Sequence, residues 1–126
     1  FFVALCLVAG SGGIWCAPAH AAQFSGDYLL RLCLTDKNGK EVVPGGSTAC
    51  QGYIAGILDY HNLQKSLGTA PETVNFCVPD DVDMSLLQKM VTLYLIKNRQ
   101  HASFTAAPAV ALALYQYYPC KGKKVK

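Results

Sequence analysis

Four cysteines follow an export-like leader in this chain, each in its own setting: Arg31-Leu32-Cys33-Leu34, Cys50-Gln51-Gly52-Tyr53-Ile54, Phe76-Cys77-Val78-Pro79 and Tyr118-Pro119-Cys120. Thiols of an exported protein meet an oxidising compartment. An even set there is read first as a disulfide framework, ahead of a catalytic or metal site. Two staples in a short chain then constrain which element ends can lie side by side.

The leader is the premise of that reading. Phe1 to Trp15 is mainly apolar and uncharged, and it runs into Ala17-Pro18-Ala19-His20-Ala21, whose last three residues have the small-x-small form of a signal-peptidase site. Cleavage is expected after Ala21, giving a signal peptide over 1–21, a helical domain over 22–120 and a lysine-rich tail over 121–126. The apolar run is shorter than the ~20 residues a membrane span needs. It is also broken by Gly10, Gly12, Gly13 and Pro18, so no span is expected in the mature chain. Trp15 before Cys16 is too bulky for a lipid-attachment site. Cys6 and Cys16 leave with the leader, and the 105 residues from Ala22 to Lys126 suffice for one domain with a modest core.

Charge says little about the folded surface. The chain is +3 overall, and removing the four charges of Lys121, Lys123, Lys124 and Lys126 leaves −1. The basicity belongs to the tail, which reads as a solvated end.

Four helical segments and no sustained apolar/polar alternation argue for an all-α chain. The first helix is expected over about Asp27 to Leu34, capped by Ser25 or Asp27, with Tyr28, Leu29, Leu32 and Cys33 on one face. Thr48 followed by Gln51 reads as a capping box that opens a second helix running to about Gln64. Gly52 and Gly56 lie four apart in that helix. An interior glycine costs ~1 kcal/mol against alanine, so the pair predicts the close approach of another backbone. Asp83 is expected to cap the third helix, in which Leu87, Met90, Val91, Tyr94 and Leu95 recur at helical spacing. The fourth is expected from Phe104 or Ala106 to Tyr118, with Thr105 as cap, Pro108 in its first turn and Pro119 ending it.

Short loops favour antiparallel neighbours, so the first two helices should form one hairpin and the last two another. The end of the first helix then meets the start of the second, which pairs Cys33 with Cys50. The start of the third meets the end of the fourth, which pairs Cys77 with Cys120. The expected architecture is a small four-helix bundle of two hairpins stapled by two disulfides, with a stabilisation of ~3 and ~4 kcal/mol from the two closed loops. A four-thiolate metal site lacks the Cys-x-x-Cys knuckle.

No enzyme is expected. That pairing leaves no thiol for Cys-His chemistry. Of the mature histidines, His61 and His101, the first is expected as a helix-end cation or surface residue. Asp80, Asp81 and Asp83 lack the twelve-residue calcium-loop pattern and read as helix-start charge. Tyr118 is expected in the core, with Tyr115 or Tyr117 partly exposed. No pattern points to a cofactor or to nucleic acid.

The stretch Cys50-Gln51-Gly52-Tyr53-Ile54-Ala55-Gly56-Ile57-Leu58-Asp59 resembles the Cys-x-Gly-Tyr-Ile-x-Gly-x-x-Asp signature of the Tai immunity family. Phe76-Cys77-Val78-Pro79 with Leu87, Val91 and Tyr94-Leu95 is similar to that family's next block. Ala113-Leu114 with Tyr118-Pro119-Cys120 resembles its closing block. The likeness spans Cys50 to Cys120, roughly two thirds of the mature chain. This chain departs from the pattern at Asp81-Val82-Asp83 before the third helix, at Leu86 in place of Gln, at Asn98-Arg99 in place of His-Pro, and at Pro108.

The resemblance implies structural roles for Gly52, Tyr53, Gly56, Asp59, Phe76, Pro79, Tyr94, Leu95 and Pro119. It also implies a periplasmic, often dimeric protein that binds a peptidoglycan amidase delivered by type VI secretion and blocks its cysteine-histidine site. Contact segments would be the Thr35–Thr48 loop, the Leu63–Asn75 loop or the Asn98–Ser103 turn. The competing functions are a small disulfide-stapled periplasmic helper or chaperone and an envelope scaffold protein.

Overall fold

The computed structural model describes residues 24–121, which form four α-helices: α1 (Gly26–Cys33), α2 (Gly46–Ser66), α3 (Met84–Lys97) and α4 (Ala106–Tyr117). Short 3-10 turns cover Glu72–Val74 and Arg99–His101. The expected signal peptide over 1–21 and the expected tail beyond Lys121 lie outside the described residues. Among those residues β pairing is limited to isolated bridges, and no helix is long and apolar enough to cross a membrane.

Three of the four helix starts fall where expected, two of them with a side-chain cap. Tyr28 N–H donates to the Ser25 Oγ at 3.2 Å, which opens α1. Asp83 Oδ1 accepts the Ser85 N–H at the head of α3. Thr105 precedes α4 and places Pro108 in its first turn, where no intrahelical N–H is needed, although the Thr105 side chain makes no capping bond.

α2 corrects the expected capping box. It begins at Gly46, behind a left-handed Gly45 (φ 73°), so Thr48 already lies inside the helix. The cap comes from an earlier residue: the Glu41 carboxylate accepts the N–H groups of Gly45 at 2.8 Å and Ser47 at 2.9 Å. Gly46 is required because a Cβ there would stand 2.6 Å from the Leu32 carbonyl oxygen.

α1 packs chiefly on α2, and α3 on α4. Leu29, Ile54, Leu87, Val91, Val110 and Leu114 are fully buried where the four helices meet, each contributing about 1.5–3 kcal/mol of burial. The small residues Ala106, Ala109 and Ala113 let α4 sit close against that core. Tyr28 leaves the predicted buried face and stands half exposed, with Leu30 buried in its place. Tyr118 is partly buried against the core.

Both staples form as expected. Cys33–Cys50 joins α1 to α2 with the Cα atoms 5.2 Å apart. Cys77–Cys120 joins the approach to α3 to the end of α4, Cα atoms 4.9 Å apart. A Phe76–Pro119 bridge sets up the second pair. Its flanking hydrogen bonds run from Cys77 N–H to the Tyr118 carbonyl at 2.8 Å and from Cys120 N–H to the Asn75 carbonyl at 3.0 Å.

Candidate functional site

A cleft of about 500 Å³ lies between α3 and the loop joining α1 to α2. Its wall on the α3 side carries Ser85, Gln88, Lys89, Thr92 and Leu93, and Cys33, Thr35, Gly39, Ser47 and Gln51 stand opposite. A polar network ties the walls together. Gln88, 7% exposed, donates from Nε2 to the Cys33 carbonyl at 2.9 Å and to the Ser47 Oγ at 3.2 Å. Its Oε1 accepts from the Gln51 Nε2 at 2.8 Å. With the adjacent Cys33–Cys50 staple, these bonds preform the cleft.

The loop wall is a two-residue ladder. Thr35 faces Glu41, and bonds from Val42 N–H to the Leu34 carbonyl (3.1 Å) and from Asp36 N–H to the Lys40 carbonyl (2.7 Å) flank the pair. In that register Thr35 is a non-hydrogen-bonded partner, so its own N–H and C=O point away from Glu41. Asp36 Oδ1 accepts the N–H groups of Asn38 and Lys40, which tightens the turn.

A smaller, apolar hollow of about 230 Å³ lies between α2 and α4, lined by Ile57, Tyr60, Val74, Phe76 and Pro108. His61 borders it and corrects the sequence expectation. It is 4% exposed, stacks on Phe76 with centroids 3.8 Å apart, accepts the Phe76 N–H at Nε2 (3.3 Å) and lies 3.1 Å from the Asn75 Oδ1. It is a packing residue.

The remaining signature residues scatter by role. Tyr53 stacks on Phe24, centroids 4.5 Å apart, and burial pushes its phenol up against an opposing backbone hydrogen bond from Ala107. Tyr94 and Leu95 are buried in α3, and burial likewise raises the Tyr94 phenol. Asp59 is exposed and takes no hydrogen bond among the described residues. Gly52 and Gly56 contradict the expected close backbone: a Cβ at either would meet nothing within 4 Å among the described residues.

The thiols and histidines of the described residues are engaged in the fold. All four thiols are in disulfides. His101 pairs with the Tyr94 hydroxyl at 3.4 Å, apart from His61. Among the described residues no three His, Cys, Asp or Glu side chains converge on a metal position.

What the helices offer instead is surface. Leu86, Leu93 and Ile96 on α3 are exposed, as are Tyr60 and Leu63 on α2 and Leu67 just after it. The α3 stripe was readable in the sequence: once Leu87, Val91, Tyr94 and Leu95 take the core face, three large apolar residues at i, i+7 and i+10 remain. The predicted Asn98–Ser103 contact turn is tied down. Arg99 Nη2 pairs with the Asp27 Oδ1 at 2.9 Å, and the N–H groups of Gly26 and Asp27 donate to the carbonyls of Phe104 and Ala102.

A stapled helical unit with exposed apolar surface suits recognition, and comparison with known families supports this. The family described as Rap1a immunity proteins matches residues 25–120. The chain belongs to the Rap1a immunity protein family. The match begins at the α1 cap, Ser25, and ends at Cys120 of the second staple, so the Rap1a region coincides with the described helical unit. No curated protein and no solved structure matches the chain.

Proposed function

We propose that this Rap1a-family protein is an immunity protein of the Tai type, which binds a peptidoglycan amidase delivered by type VI secretion and blocks its active site sterically in the periplasm. The carrying observation is the family match over residues 25–120, which takes in both disulfides and all four helices. Two staples closing a small domain suit an oxidising compartment. A rigid scaffold with half-exposed apolar residues on two helices suits a protein partner better than a small substrate. The Tai resemblance adds the expectation of a homodimer, which light scattering on the free protein reads directly.

The test uses the purified protein and each type VI amidase encoded in the same genome. Release of peptide from peptidoglycan is followed as the protein is added. The reading expects one amidase to lose its activity stoichiometrically as a stable complex forms. Undiminished hydrolysis by every amidase at molar excess of folded protein rejects it.

A further inference from the structure

We infer that the Cys77–Cys120 staple is a thiol–disulfide exchange site, opened by a dithiol reductant that attacks Cys120 and expels Cys77 as a thiolate held by Lys65, while the Cys33–Cys50 staple stays closed. The site depends on the surroundings of the sulfurs and not on the identity of an effector.

Access separates the two staples. Cys33 and Cys50 are 3% and 0% exposed, so a thiolate reaches that pair only when the core opens locally. Cys77 is exposed and Cys120 half-buried. The two outer sulfurs also differ in their neighbours. The Lys65 Nζ, from the last turn of α2, stands 3.3 Å from the Cys77 Sγ, and a positive charge there favours a thiolate on Cys77. The Cys120 Sγ lies 3.3 Å from the Asn75 Oδ1. A disulfide sulfur carries no proton, so that contact becomes a hydrogen bond only once Cys120 is a thiol and donates to the amide oxygen. Each reduced sulfur thus has a partner in place, and the partners differ: an ammonium for a Cys77 thiolate, an acceptor for a Cys120 thiol.

That asymmetry sets the direction of exchange. The sulfur that leaves faster is the one whose thiolate is better stabilised, which directs attack to Cys120. One thiol of the reductant loses its proton to water and its sulfur bonds to the Cys120 sulfur. The Cys77–Cys120 bond breaks and its electron pair leaves on Cys77, beside Lys65. The second thiol of the reductant then attacks the mixed disulfide, and Cys120 leaves and takes up the proton that this thiol gives off. The dithiol loses two electrons and becomes a disulfide, and the staple gains them as a Cys77 thiolate and a Cys120 thiol. The backbone keeps the step reversible. The Cys77 N–H bond to the Tyr118 carbonyl, the Cys120 N–H bond to the Asn75 carbonyl and the buried Phe76 hold the two segments paired, so oxidation recloses the same bond.

The test treats the folded full-length protein with dithiothreitol under native conditions, quenches with acid, alkylates, and reads by mass spectrometry which cysteines are reduced. Cys77 and Cys120 are expected to be reduced on the order of a hundredfold faster than Cys33 and Cys50. Lys65 is exposed, so its replacement leaves the fold intact, as thermal unfolding checks. Lys65→Met is expected to slow the step about threefold at low salt and less at high salt, and Lys65→Arg to restore it. Reduced glutathione is a monothiol that leaves its adduct behind, and peptide mapping should find that adduct on Cys120. A Cys-x-x-Cys oxidoreductase compared with dithiothreitol at equal dithiol identifies the source: a faster rate points to a protein, an equal rate to a free dithiol, and both uphold the site. Equal reduction of the two staples, or earlier reduction of Cys33–Cys50, overturns it. A glutathione adduct on Cys77, or a rate that Lys65→Met leaves unchanged at low salt, overturns the assignment of Cys77 as the leaving sulfur.

Discussion

Gln88 Nε2 donates to the Cys33 carbonyl oxygen at 2.9 Å, joining the middle of α3 to the last turn of α1 across 55 residues of chain. That carbonyl is one of the end-of-helix acceptors that no intrahelical N–H reaches. Gln88→Leu removes its donor and leaves the Gln51 amide without an acceptor. The expected cost is about 1–3 kcal/mol, read from urea midpoints. An unchanged midpoint means that water replaces the network at no cost.

The two staples should differ in effect. They close separations of 17 and 43 residues. Cys77→Ala with Cys120→Ala is therefore expected to lose about 4 kcal/mol, and Cys33→Ala with Cys50→Ala about 3 kcal/mol. Denaturant unfolding of the two double variants checks the order. A reversed order implies that the unfolded chain keeps structure within the longer loop.

Three glycines of α2 should respond in opposite directions. Gly46→Ala forces a methyl against the Leu32 carbonyl oxygen, at an expected cost of about 1–3 kcal/mol. Gly52→Ala and Gly56→Ala point into open space and should each stabilise the helix by up to about 1 kcal/mol. Thermal melts of the three single variants separate the cases. Destabilisation by Gly52→Ala would place an unseen partner, such as a second copy, on that face.

Acid should weaken the fold through its two carboxylate caps. The backbone N–H groups of Gly45 and then Ser47 hold Glu41 below its ordinary 4.5. The side chain and then the backbone of Ser85 hold Asp83 below 3.8. A carboxyl lowered in the folded state stabilises the protein above its unfolded value and loses that contribution as pH falls through the folded value. The melting temperature should thus hold down to about pH 5 and fall below it. Glu41→Gln should flatten that fall, as a melting series from pH 6 to pH 2.5 will read. Parallel acid limbs in the two proteins contradict the Glu41 assignment.

The contrast between Asp83 and Glu41 explains what the sequence could reveal. Asp83 caps the helix it directly precedes, so a local pattern finds it. Glu41 caps α2 from the far side of Pro44 and Gly45, and the Thr48–Gln51 pattern offered a nearer but false start. The disulfide pairing was legible because hairpin geometry alone brings those ends together. His61 was not, because its burial depends on Phe76 and Asn75, which arrive through the Cys77–Cys120 closure. The cleft was the least legible feature, since its lining runs from Cys33 to Leu93 and assembles only when α3 docks. Its one local sign was the surplus of apolar residues on α3.

Survival of a challenged cell tests the central claim most directly. A type VI amidase from the same genome is sent to the periplasm of a sensitive host, with and without this protein exported to the same compartment. Immunity predicts lysis without the protein and growth with it. Lysis by every resident amidase while the protein is folded and abundant contradicts the account.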